Sequence, residues 1–152
     1  MASVVSLLAA AVHDHVLAAL DAAGLPGLRV THGYVVQRLL DGPSTATQIA
    51  ADLGVSQQVV SKWISELQAH GYVAATIDPA DRRRRSVELT EHGRLAVEIT
   101  RRARAAFEAR LSAICGADDV DIARRVLIDA LDLFGATDAV RDRRARPLAD
   151  PG

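Results

Sequence analysis

The stretch from Thr45 to Gly71 leaves this chain little choice of local structure. Thr45-Ala46-Thr47-Gln48 puts a hydroxyl at a helix N-cap and an amide at the third helical position, the reciprocal pattern of a capping box. Ile49, Ala50 and Leu53 supply the buried side of a short helix. Gly54 stands where that helix must end in a left-handed residue, and Val55 plugs the turn. Ser56 caps a longer helix running to about His70 and closed by Gly71. On it Val60, Leu67 and either Trp63 or Ile64 share a face. Two capped helices joined by a turn of about four residues that contains glycine fit a helix-turn-helix.

Beyond Gly71 the periodicity changes. Val73, Ala75 and Ile77 alternate with Ala74 and Thr76, and Val87 and Leu89 alternate with Ser86 and Glu88. Between them, Asp78 to Arg85 combines turn residues with charge, so the segment reads as a β-hairpin with a basic tip. Helices are expected on both sides of this unit. One spans Ser3 to Ala23, with Val5, Leu8, Val12, Val16 and Leu20 near helical spacing, and a second spans Arg29 to Leu40. A long helix opens at Thr90 and runs to about Ile114 on a stripe of Leu95, Ile99, Ala103, Ala106, Phe107 and Leu111. A break at Cys115 to Asp118 precedes a last helix to about Phe134. The reading is a mainly α fold, a winged helix-turn-helix with a two-stranded β-wing.

Composition narrows the function classes. With 49% hydrophobic and 24% charged residues in 152, the chain is globular. With 3% aromatics, its core must be built from Leu, Val, Ile and Ala, which favours packed helices. A net charge of -1 means that any affinity for a polyanion has to come from a local patch. A single cysteine excludes an internal disulfide framework, and Cys115 is read as a small buried hydrophobe. The apolar start lacks a basic leader region and is interrupted by His13, Asp14 and His15, so no membrane segment is expected and the location is read as cytoplasmic. No phosphate loop, partnered nucleophile or carboxylate pair suggests an enzyme or a cofactor. The five histidines do not form a metal set: His13 and His15 are two apart and diverge on a helix.

The chemistry lies on the second helix of the motif and on the hairpin. Gln57, Gln58, Ser61, Lys62 and Ser65 fall opposite its apolar face, side chains suited to base edges and phosphates, with the caps Thr45 and Ser56 beside them. An ordinary solvated face in a chain with 18 basic and 19 acidic residues would mix both signs, yet Glu66 is the only acid from Val55 to His70. Arg82, Arg83, Arg84 and Arg85 repel one another on a hairpin tip, an arrangement that makes sense if the tip reaches DNA phosphates or a narrow minor groove. Asp81 is suited to hold Arg83 in shape.

The strings QIAADLGVSQQVVSKWISELQAHGYV and DPADRRRRSVELTEHG, with the order of helices around them, resemble the multiple-antibiotic-resistance regulator (MarR) family. The resemblance implies a homodimer whose N- and C-terminal helices intertwine. Residues 1–28 and 90–135 would be the dimerisation helices, 29–89 the DNA-binding lobe and 136–152 a mobile tail. It further implies a transcription regulator, in many members a repressor, binding a pseudo-palindromic duplex. Arg83, from the wing's Asp-x-Arg, would enter the minor groove. A small, often aromatic, effector would occupy a crevice between the lobes, and His13, His32 and Tyr34 are candidates to line it. The chain differs from the family pattern in Trp63 and in its run of four arginines. The rival reading is a non-sensing interaction module that binds a protein partner, or DNA without sequence preference.

Overall fold

The computed structural model describes residues 1–77 and 85–134. Its elements are α1 (Ala2–Ala22), α2 (Val30–Arg38), α3 (Ala46–Leu53), α4 (Gln57–Ala69), β1 (Val73–Ile77), β2 (Arg85–Leu89), α5 (Glu91–Cys115) and α6 (Ala117–Asp132).

The capping logic of the sequence is realised at both helices of the motif. Thr45 Oγ1 accepts the Gln48 amide at 3.2 Å, and Gln48 Oε1 accepts the Thr45 amide at 3.0 Å. Gly54 ends α3 at φ 64°, the left-handed conformation that an L side chain resists. Ser56 Oγ then accepts the Val59 amide at 3.3 Å and starts α4. Ile49, Leu53, Val60, Ile64 and Leu67 lock the pair into the core, so Ile64 takes the inward position and Trp63 is only half-buried. Truncating a buried leucine such as Leu67 to alanine would cost about 2–5 kcal/mol.

The wing pairs antiparallel, with Val73 opposite Leu89 and Ala75 opposite Val87. Ser44, just ahead of α3, adds a bridge that the sequence does not announce. It donates its amide to the Val87 carbonyl at 3.0 Å and accepts the Val87 amide at 2.9 Å, tying the hairpin to the helical motif. Val73, Val87 and Leu89 face the core, but Ala75 is exposed, so the expected alternation fails there. A methyl group gains too little from burial to govern which way a strand face turns.

Thr90 fastens the next helix. Its hydroxyl donates to the Gly71 carbonyl at 2.6 Å and accepts the Gly93 amide at 3.0 Å, while its own amide donates to Tyr72 O at 3.1 Å. α5 therefore begins against the junction of α4 and β1. Its buried residues are Gly93, Ala96 and Ala103; of the expected stripe Ala103 is buried and Ile99 packs against the core, but Leu95 is 48% exposed. Small residues let α5 lie close to its neighbours, and one core joins Val16 and Leu20 of α1 to Ala96 and Ala103 of α5 and to the helical motif.

The helix ends differ from expectation in two ways. α5 runs unbroken to Cys115, and only Gly116, at φ 90°, separates it from α6. Cys115 is exposed at that end, not buried. Several apolar side chains also lack cover within this chain: Val4, Val5, Leu7 and Leu8 on α1, and Ile122, Val126 and Leu127 on α6. α1 is long and apolar enough to cross a membrane by length and composition, with a mean hydropathy of 1.6, yet Val16 and Leu20 are buried in the core.

Candidate nucleic-acid interface

A helix held by Val60, Ile64 and Leu67 must present the opposite side to solvent, and on α4 that side carries Gln57, Gln58, Ser61, Lys62 and Ser65, all exposed. The Ser65 hydroxyl donates back to the Ser61 carbonyl at 2.9 Å, which leaves Gln57, Gln58, Ser61 and Lys62 as the side chains best placed to reach outward. Thr45 and Ser56 were candidates for the same surface. Ser56 is exposed, while the Thr45 hydroxyl is engaged with Gln48.

The acid that sequence reasoning set apart turns the other way. Glu66 accepts from His32 Nε2 at 2.8 Å and from the Arg29 guanidinium, both contributed by the start of α2. The His32 hydrogen bond is the main cause of a lowered Glu66 pKa; partial desolvation opposes it, and Arg29 adds to the lowering through its hydrogen bond and charge. The folded state thus holds this carboxylate's proton less tightly than the unfolded chain. Its contribution to stability is present above the ordinary carboxylate range and is lost as pH falls through the lowered value. Because Glu66 is spent on α2, Lys62 is the only charged residue on the outward side of α4.

Arg85 is exposed at the first position of β2, paired opposite Ile77. Arg82, Arg83 and Arg84, and the expected pairing of Asp81 with Arg83, lie outside the described residues. The same is true of the tail from 136 onward.

Of the three residues suggested for an effector crevice, one is closed off and two are half-buried. His32 is 1% exposed, with both ring nitrogens engaged, so it offers no free polar atom. His13 on α1 and Tyr34 on α2 are half-buried. A cavity of about 540 Å³ instead opens between the C-terminal end of α2 and the first turns of α5, lined by Arg38, Asp41, Leu89, Arg94, Glu98 and Arg101 among others. Arg38 Nε is buried there without a hydrogen-bond partner. Nothing in the sequence flagged this site, because its arginines are spread over α2 and α5 and only the packing of the two helices collects them. Tyr72, also unremarked, is 1% exposed. Its hydroxyl donates to the Pro26 carbonyl at 2.8 Å, its ring stacks on His92 at 4.8 Å, and burial pushes its pKa up.

Residues 23–84 match the MarR family. Among solved structures, a MarR family transcription regulator shares 21% identity at a TM-score of 0.68, covering 89% of this chain and 85% of that one. The YusO protein from Bacillus subtilis shares 19% at 0.67, covering 84% and 89%. The transcriptional repressor CouR, bound to a 23-mer DNA duplex, shares 24% at 0.61, covering 86% and 91%. At these identities the likeness is one of fold. No curated protein matches the chain at a significant level.

Proposed function

We propose that this chain, whose residues 23–84 match the MarR family, is a sequence-specific DNA-binding transcription regulator, a repressor that works as a homodimer in the cytoplasm. The observation that carries this reading is the outer side of α4, exposed, rich in hydrogen-bonding groups and free of acids. The likeness of fold to CouR, a repressor solved on duplex DNA, supports it. The uncovered apolar side chains of α1 and α6 support pairing with a second copy rather than insertion in a membrane. Residues 1–28 and 90–135 would then form the dimer and 29–89 the reading lobe. A two-fold dimer reads a pseudo-palindrome whose half-sites lie roughly 34 Å apart.

Selection from random duplexes followed by competition with unrelated DNA tests the proposal. A regulator prefers its operator by about a thousandfold or more. Equal affinity for all duplexes would instead support the non-sensing module. Within the interface, Arg83→Ala is expected to weaken operator binding by roughly 1–3 kcal/mol, and unchanged affinity at fixed salt would remove it from the minor groove. Lys62→Ala is expected to weaken all sequences alike and to reduce the salt slope by about one, as for a phosphate contact; a sequence-selective loss would contradict that role.

Release by a small effector is part of the same proposal. The cavity between α2 and α5 supports it, since Arg38, Arg94 and Arg101 suit an anionic group, and a bound anion would give the buried Arg38 Nε an acceptor.

A further inference from the structure

Apolar contacts hold α4 to the core, but they are not directional. Val60, Ile64 and Leu67 resist removal of the helix far more than they resist a small roll or tilt. Reading base edges demands more, because hydrogen bonds weaken steeply with misalignment.

A directional tie exists at Glu66. His32 is buried at 1% exposure, although its ring is polar. It sits in the first turn of α2, and its Nδ1 accepts the Arg29 amide at 3.2 Å. An imidazole nitrogen that accepts carries no proton, so the ring hydrogen must be on Nε2, where it is donated to Glu66 at 2.8 Å. Arg29 closes on the same carboxylate oxygen from the solvent side, its side chain 59% exposed. One carboxylate of α4 is thus held by two groups of α2.

We propose that Glu66 is a positioning residue for operator recognition: through His32 and Arg29 it fixes the roll and tilt of α4, and so the register of Gln57, Gln58 and Ser61. Glu66 lies nine residues beyond Gln57, roughly 13 Å along the helix at 1.5 Å per residue, so a tilt of about 5° at the clamp moves the reading end by about 1 Å. That shift is comparable with the whole tolerance of a hydrogen bond. Phosphate contacts made by flexible basic side chains absorb such a shift; base contacts do not. The clamp therefore acts on discrimination more than on general affinity for DNA. The inference rests on the reading of α4 as the recognition helix.

The test compares Glu66→Ala, Glu66→Asp and Glu66→Gln in the full chain. Glutamine keeps an oxygen within reach of Nε2–H, aspartate is too short to reach it, and alanine removes it. Operator affinity is expected to fall about tenfold or more for the alanine and aspartate variants, equivalent to about 1.4 kcal/mol, with unrelated DNA bound within threefold of wild type. Glutamine is expected to restore operator preference. Ring nitrogen NMR should report a single Nε2–H tautomer of His32 in the wild type and the glutamine variant, lost in the other two. A folded alanine or aspartate variant with undiminished operator preference overturns the proposal, as does an Nδ1–H tautomer in the wild type. Should alanine fail to fold, aspartate carries the comparison. A wild type without operator preference defeats the regulator reading, and with it the role in recognition, while the NMR still reports separately whether the clamp exists.

Discussion

Gly93→Ala is expected to lower the stability of the fold by about 3 kcal/mol, the upper end of the usual cost of overpacking. Gly93 lies in the first turn of α5, where its amide completes the Thr90 cap. A Cβ built at this position would stand 2.1 Å from the Tyr72 carbonyl oxygen. That oxygen belongs to backbone and cannot rotate aside. It also accepts the Thr90 amide, so moving it would loosen the start of α5. In a chain of this size about 3 kcal/mol corresponds to roughly a 10 °C fall in Tm. Gly33→Ala is the control: Gly33 is exposed within α2, with nothing within 4 Å of the added carbon. There the change should raise stability by about 0.5–1 kcal/mol through helix propensity alone. Thermal unfolding followed by circular dichroism checks both. Equal Tm values for the two variants would mean that α5 does not approach Tyr72 as described.

Ser61→Glu is expected to reduce operator binding about a hundredfold, close to 3 kcal/mol, while leaving the fold intact. Ser61 is exposed midway along the outer side of α4, and its carbonyl, not its side chain, accepts from Ser65. Glutamate favours helix formation as much as serine or more, so Tm should hold. If this side enters a groove, a carboxylate there faces phosphates on both flanks and must be desolvated without a partner, a repulsion costing several kcal/mol. Salt screens such a buried charge only weakly, so raising ionic strength should not restore binding. Ser61→Ala, which loses one hydrogen-bonding group and adds no charge, should cost far less. A glutamate variant that binds operator like the wild type would remove α4 from the groove.

The two variants draw on information of different origin. The face on which Ser61 lies follows from helical period and from the apolar set Val60, Ile64 and Leu67, and it was legible before any coordinates. The only ambiguity was Trp63 against Ile64, adjacent residues that both border the apolar side. The caps at Thr45, Ser56 and Thr90 and the left-handed Gly54 were equally legible, because capping is settled within four residues. The close approach at Gly93 was not, since Tyr72 lies twenty-one positions earlier and only packing brings its carbonyl there.

Local hydrogen bonding and hydrophobic period act over a few residues, and so the order of helices, the wing strands and the acid-free side of α4 were written in the chain itself. Which small residues α5 turns inward, how Ser44 joins the hairpin, and how Arg29, His32 and Glu66 meet were decided by tertiary structure alone. Those arrangements depend on distances between elements, and one-dimensional spacing does not encode distance once the chain has turned.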